Sequence, residues 1–112
     1  MAYSDQTEYP RGILRQSSSG AAYTPFPTGS TVRIAGILFA FDPGGNTGTL
    51  TVTLLSADSS QTYCTLFFDL SKGPATFYLP ARFASENGLR WQPSGGSPST
   101  PSVKATFFYY DD

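Results

Sequence analysis

The apolar positions along this chain recur in two ways. In TLTVTLLS, Leu50, Val52 and Leu54 alternate with Thr49, Thr51 and Thr53. A period of two places the first set on one face of a strand and the second on the other, so the stretch predicts a half-buried strand with one wet face. Three further segments are apolar on both faces. In TVRIAGILFAF, Val32, Ile34 and Leu38 oppose Ile37, Phe39 and Phe41. In QTYCTLFFDL, Tyr63 and Phe67 oppose Cys64, Leu66, Phe68 and Leu70; in SVKATFFYY, Val103, Phe107 and Tyr109 oppose Phe108 and Tyr110.

Turn residues separate these runs: DPGGNTG at 42–48, ADSS at 57–60, SKGP at 71–74, Asn87-Gly88 and GGSPSTP at 95–101. Gly, Pro, Asn and Asp at such positions supply the backbone angles a chain reversal needs. With ATFYLP and GLRWQ added, the pattern predicts six or seven short strands spaced about ten residues apart, the signature of a sandwich or jelly roll. The first thirty residues break the pattern. Pro10, Pro25, Pro27, the SSSG run and isolated aromatics predict an extended arm, with one short strand near residues 11–16. The expected organisation is an arm over residues 1–30 and an antiparallel β-sandwich over residues 31–112. Disordered segments are poor in aromatics, so an arm holding Tyr3, Tyr9, Tyr23 and Phe26 is expected to dock on its own sandwich or on a neighbour.

Composition agrees with an all-β domain: 15% of residues are aromatic and 13% charged, and strong helix formers are few. The net charge of −1 and the absence of any basic run leave no electrostatic footprint for nucleic acid. The longest apolar run, residues 34–41, is too short to span a bilayer. No charged-then-apolar leader opens the chain, and a single cysteine, Cys64, suits a reducing compartment; synthesis in a cytoplasm is expected.

Histidine is missing, which removes Ser-His-Asp and Cys-His nucleophiles, and one cysteine cannot build a zinc site. Asp42 and Asn46 are too few for a calcium loop, and GGNTG lacks the lysine and helix of a phosphate-binding loop. Asp42, Asp58, Asp69 and Glu86 lie in separate turns with no spacing that marks a glycosidase pair. Cys64 has no cationic neighbour in sequence and reads as a small buried hydrophobe. Trp91 is the one candidate for stacking on a sugar ring, against the commoner role of a packed core aromatic. No enzyme, cofactor or metal is expected.

The doubly apolar strands allow three readings. Either the arm folds back over part of an outer face, or a bulge directs some side chains inward, or the surplus forms a subunit interface, since contiguous apolar patches on monomers are rare. The interface reading selects Tyr3, Tyr9, Tyr23, Phe26, Phe39, Phe41, Phe68, Phe108 and Tyr110.

The segment ARFASENGLRWQPSGGSPSTPSVKATFFYYDD, with RIAGILF, its Gly-rich turn and TLTVTLL before it, resembles the small β-sandwich structural proteins of tailed bacteriophages. The resemblance covers residues 31–110; the arm has no counterpart in it. It implies a non-enzymatic virion component, foremost a capsid decoration or cement protein. Such a protein clusters on the shell, often as a trimer, and bridges subunits of the major capsid protein. A neck, tail or fibre-base component is the alternative within that class, and a carbohydrate-binding module using Trp91 is the alternative outside it. Nucleic acid and membrane are not expected partners.

Overall fold

The computed structural model describes residues 12–30, 32–80 and 83–110. They form nine strands: β1 (Gly12–Ser18), β2 (Tyr23–Phe26), β3 (Val32–Phe41), β4 (Thr47–Leu55), β5 (Thr62–Asp69), β6 (Ala75–Leu79), β7 (Phe83–Ser85), β8 (Leu89–Ser97) and β9 (Val103–Tyr109). One 3-10 turn, Leu70–Lys72, joins β5 to β6. Two antiparallel sheets pack face to face. Sheet I runs β1-β9-β3-β6 with β7 beside β3, and sheet II runs β2-β8-β4-β5. The fold is the expected all-β sandwich.

Turn chemistry places the strands. Asp42 accepts from the Gly44 N–H at 3.0 Å, and Asn46 closes the same turn on the Pro43 carbonyl. The Asn46 side-chain oxygen also accepts from Ser99 N–H at 3.0 Å, which ties the β3–β4 turn to the β8–β9 connection. Gly88 has φ +70, the left-handed backbone expected of an Asn-Gly turn.

β4 behaves as its alternation predicts: Leu50, Val52 and Leu54 are buried, and Thr51 and Thr53 face out. β3 does not. Ile34 pairs with Tyr109 but Gly36 pairs with Phe108, so a bulge at Ala35 inserts one residue. The insertion shifts the parity of the strand, and Ile34 joins Ile37, Phe39 and Phe41 in the core instead of sharing a face with Leu38. Much of the apparent two-sidedness of this strand is that single extra residue.

The arm boundary is also corrected. Residues 12–18 pair with β9 through seven aligned partners, Gly12 with Tyr109 to Ser18 with Val103. Tyr23 and Phe26 pair with Trp91 and Leu89 of β8. The sandwich therefore takes in residues 12–26, which supply one strand to each sheet. The rest of the expected arm, with Tyr3 and Tyr9, lies outside the described residues.

At the centre stands Trp91, fully buried, with Phe39 and Phe107 each 6.3 Å away between ring centroids. Its indole N–H donates to Oε1 of Gln16 at 2.7 Å, joining β8 of sheet II to β1 of sheet I. Replacing Gln16 by Leu keeps the volume but leaves that N–H dry and unpaired, a loss of about 1–3 kcal/mol. Urea unfolding followed by Trp91 fluorescence is expected to show this loss.

The β4–β5 hairpin carries a second local device. Asp58 Oδ1 accepts from Ser60 Oγ at 2.7 Å, Ser60 N–H at 3.0 Å and Ser56 Oγ at 2.8 Å. These bonds, the Ser60 hydroxyl foremost, hold its carboxyl down from 3.8 to about 2. A depressed folded pKa means that the turn's contribution is complete above the unfolded pKa and is lost as pH falls through the folded one. A carboxyl NMR titration of the folded protein should place Asp58 near 2, and Ser60→Ala should move it back up.

Candidate interaction surface

Strand parity decides what each sheet shows to solvent. In β9, Val103, Ala105 and Phe107 are buried, which sends Lys104, Thr106 and Phe108 to the outer face of sheet I. In β1, the inward Gln16 fixes Ile13, Arg15 and Ser17 on that same outer face. In β6, Tyr78 stands opposite Leu38. The result is an apolar row that crosses the four main strands of sheet I. Ile13 lies beside Phe108, Phe108 beside Gly36, and Tyr78 leans across Gly36 with its ring centroid 6.5 Å from that of Phe108. Ile13 is 54% exposed and Tyr78 49%; Leu38 and Phe108 are half-buried.

Cations surround the row. Arg15 and Lys104 stand on the same face, and the guanidinium of Arg33 lies 4.8 Å from the centroid of the Tyr110 ring. The described acids lie in turns and strand ends: Asp42 just past β3, Asp58 in the β4–β5 hairpin, Asp69 at the end of β5 and Glu86 after β7. Asp69 is held below the usual carboxylate range by the Ser71 hydroxyl, the Ser71 N–H and the charge of Lys72. No three such ligand groups meet in a metal-binding cluster among the described residues. The outer face of sheet I thus carries an apolar row flanked by cations, Arg33 beside Tyr110 at one end and Arg15 and Lys104 toward the other. It can hold a partner by apolar burial and by attraction of carboxylates.

The residues assigned to an interface separate into three groups. Phe39 and Phe41 are buried in the core, so their assignment is corrected; the β3 bulge, invisible in the spacing, turned their face inward. Phe26 and Phe68 are half-buried at the two lateral edges. Phe26 packs on Tyr109 at 5.2 Å and Phe107 at 6.4 Å, and Phe68 packs on Phe41 at 5.2 Å and Phe77 at 5.6 Å. Tyr23 is partly exposed against Trp91. Phe108 and Tyr110 belong to the outer face of sheet I. Tyr3 and Tyr9 lie outside the described residues. Trp91, the candidate sugar platform, is fully buried and cannot present its face to a ring.

Sequence reasoning missed Ile13, Tyr78, Phe67 and Phe77. Ile13 stood inside the supposed arm. Tyr78 and Phe77 are adjacent in a short strand, so one of them had to face outward, and ATFYL alone did not say which.

No family model matches this chain, and no curated protein does. Among solved structures it is similar to the nucleoplasmin-like N-terminal domain of Drosophila FKBP39, with a TM-score of 0.55 and 15% identity over 89% of each chain. What they share is the fold. It also matches a chain of the nora virus structure, with a TM-score of 0.44 and 10% identity, over 90% of this chain and 58% of that one. A subunit of the disulfide-linked pili of Bacillus endospore appendages matches with a TM-score of 0.40 and 13% identity over 89% of each chain.

Gly36 makes the row possible, because a Cβ there would run into the Tyr78 hydroxyl and ring. Gly36→Val is therefore expected to lift Tyr78 away from Phe108 while the strand, which accepts β-branched residues well, stays paired. NOEs between the two rings should be present in the wild type and absent in the variant, with the far-ultraviolet circular dichroism unchanged.

Proposed function

We propose that this chain is a non-enzymatic structural subunit of a virion, a capsid decoration or cement protein that docks on the head shell through the outer face of sheet I. The observation that carries the reading is the row of Ile13, Phe108, Leu38 and Tyr78 across that face. Burying one such side chain contributes about 2–3 kcal/mol, so a row of four is enough to hold a subunit on a larger surface. Arg15, Arg33 and Lys104 beside the row favour a shell surface that offers carboxylates together with apolar side chains. The resemblance of residues 31–110 to small phage β-sandwich proteins supports the virion setting. The separation of the acids into distant turns supports a binding role over a catalytic one.

The apolar row and the cations that flank it have different jobs. Apolar burial sets how long the subunit stays bound, and the cations set how fast it finds an acidic shell. Salt should therefore slow attachment more than it hastens release.

The chain should be found by mass spectrometry in purified heads of the virus that encodes it, and in heads over separated tails. Tyr78→Glu with Phe108→Glu sets two carboxylates in the row. It is expected to cut occupancy on stripped heads at least about tenfold, the loss that follows from about 1.4 kcal/mol. Unchanged occupancy, or the chain confined to tails, would count against the decoration reading.

A further inference from the structure

We infer that the molecule pairs with a second copy of itself along β5, in an antiparallel two-fold contact that runs sheet II of one copy into sheet II of the other. The inference goes beyond docking by sheet I and uses a different part of the surface.

Among the described residues β5 is the outer strand of sheet II and is bonded to β4 alone. Strands so placed are ordinarily blunted by charge, proline, a mid-strand bulge or short length. The other four lateral strands follow that rule. β1 carries Arg15, β2 has four residues with Pro25 inside, β6 has five residues between Pro74 and Pro80, and β7 has three residues. β5 has eight residues with no Lys, Arg or Pro; its bulge lies at one end, beside Tyr63, and its one charge, Asp69, closes the other. From Cys64 to Phe68 it offers an uninterrupted edge of backbone donors and acceptors.

The seam beneath that edge is open as well. Cys64, Leu66 and Phe68 of β5 pair with Leu54, Val52 and Leu50, which places them on the inner face. None of the three is fully buried, and Phe77 of β6, which packs on Phe68, is 37% exposed. At the opposite edge, residues 19–22 cross from one sheet to the other. Ser18 Oγ donates to the Ala21 carbonyl there, and Gln92 donates to the Gly20 carbonyl at 2.9 Å. Among the described residues one side of the sandwich is closed by its own chain and the other is not.

The occupant is a second copy because β5 is complementary to itself. With the two-fold axis at Leu66, Phe67 faces the partner's Thr65 and Phe68 faces the partner's Cys64, while Asp69 faces the partner's Tyr63. No like charges meet, and aromatic rings lie on β-branched or small neighbours, the favourable kind of cross-strand pair. Phe67, 69% exposed among the threonines of sheet II, gains a cover. Such an isologous contact closes on itself and gives a dimer, in place of the trimer that the phage resemblance implies.

The test uses the full chain. Sedimentation equilibrium from about 1 to about 100 µM, a range that spans ordinary association by an interface of standard size, is expected to show a monomer–dimer equilibrium. Amide exchange at residues 64–68 should slow as concentration rises. Thr65→Lys with Phe67→Lys changes two exposed side chains, so circular dichroism should stay as in the wild type. The dimer constant should weaken at least about 100-fold, since cations would then face the edge of the partner. Thr65→Lys alone, at a position already in water, is the second variant and should weaken it in the same direction. A wild-type monomer at the top concentration, a dimer that survives both lysine variants, or β5 exchange independent of concentration would each overturn the inference. The Tyr78→Glu, Phe108→Glu variant keeps the two proposals apart. It should remain dimeric while losing the heads, and its dissociation to monomer would move the contact to sheet I and overturn the β5 pairing.

Discussion

Trp91 lies without solvent contact between Phe39 and Phe107, and its indole N–H must find an acceptor there or stay unpaired in a dry core. Gln16 supplies that acceptor from the other sheet. The bond does more than satisfy one donor. It requires Gln16 to point inward, and a strand's period of two then sends Ile13, Arg15 and Ser17 outward. β9, paired residue for residue with β1, takes its parity from the same constraint: Ala105 beside Gln16 is buried, and Phe108 beside Ile13 faces out. The apolar row on sheet I is thus the far side of a decision made in the core.

The four consecutive aromatics at 107–110, three in β9 and Tyr110 just past it, show how far the sequence could be read. That two would face each way was legible from periodicity. Which pair faced inward was not. Phe107 is buried and Tyr109 packs on Phe26, while Phe108 and Tyr110 turn out, because β9 is locked between β1 and β3 and takes its register from both. The threonines of β4 were easy to place, since alternation there had no insertion to disturb it. In β3 the residue at the bulge shifted every position after it by one face. Alanine at 35 carries no mark of that.

Residues 12–26 were legible only in part, for a physical reason. A short strand near residues 11–16 was expected, but GILRQSS puts polar Gln16 and Ser18 on the inner face, where a core strand would ordinarily carry aliphatics, so its place as a full strand of sheet I was not. Those polar groups are inside because they have partners: the indole for Gln16, and the Ala21 carbonyl for Ser18. YTPF was discounted for its proline, yet an outer strand tolerates one, as its free side needs no N–H. Pro93 in β8 obeys the same rule. β2 pairs with β8 only at Trp91 and Leu89, so at Pro93 the strand has β4 on one side and no strand on the other.

The aromatic excess follows from where the chain crosses between its sheets. The crossing at residues 19–22 runs along the β1–β2 side and seals it with side-chain to backbone bonds. The crossing from β5 to β6 runs through the 3-10 turn at the strand ends, capped by Asp69, and among the described residues the length of both strands is left uncovered. Inward residues of β5 and β6 therefore have core neighbours on one side and water on the other. A small sandwich has two ways to deal with such an edge. It can place polar residues there, as β1 does with Gln16 and Ser18, or it can keep apolar ones and let another molecule complete the core. On the β5 pairing inferred above, Leu66, Phe68 and Phe77 follow the second course.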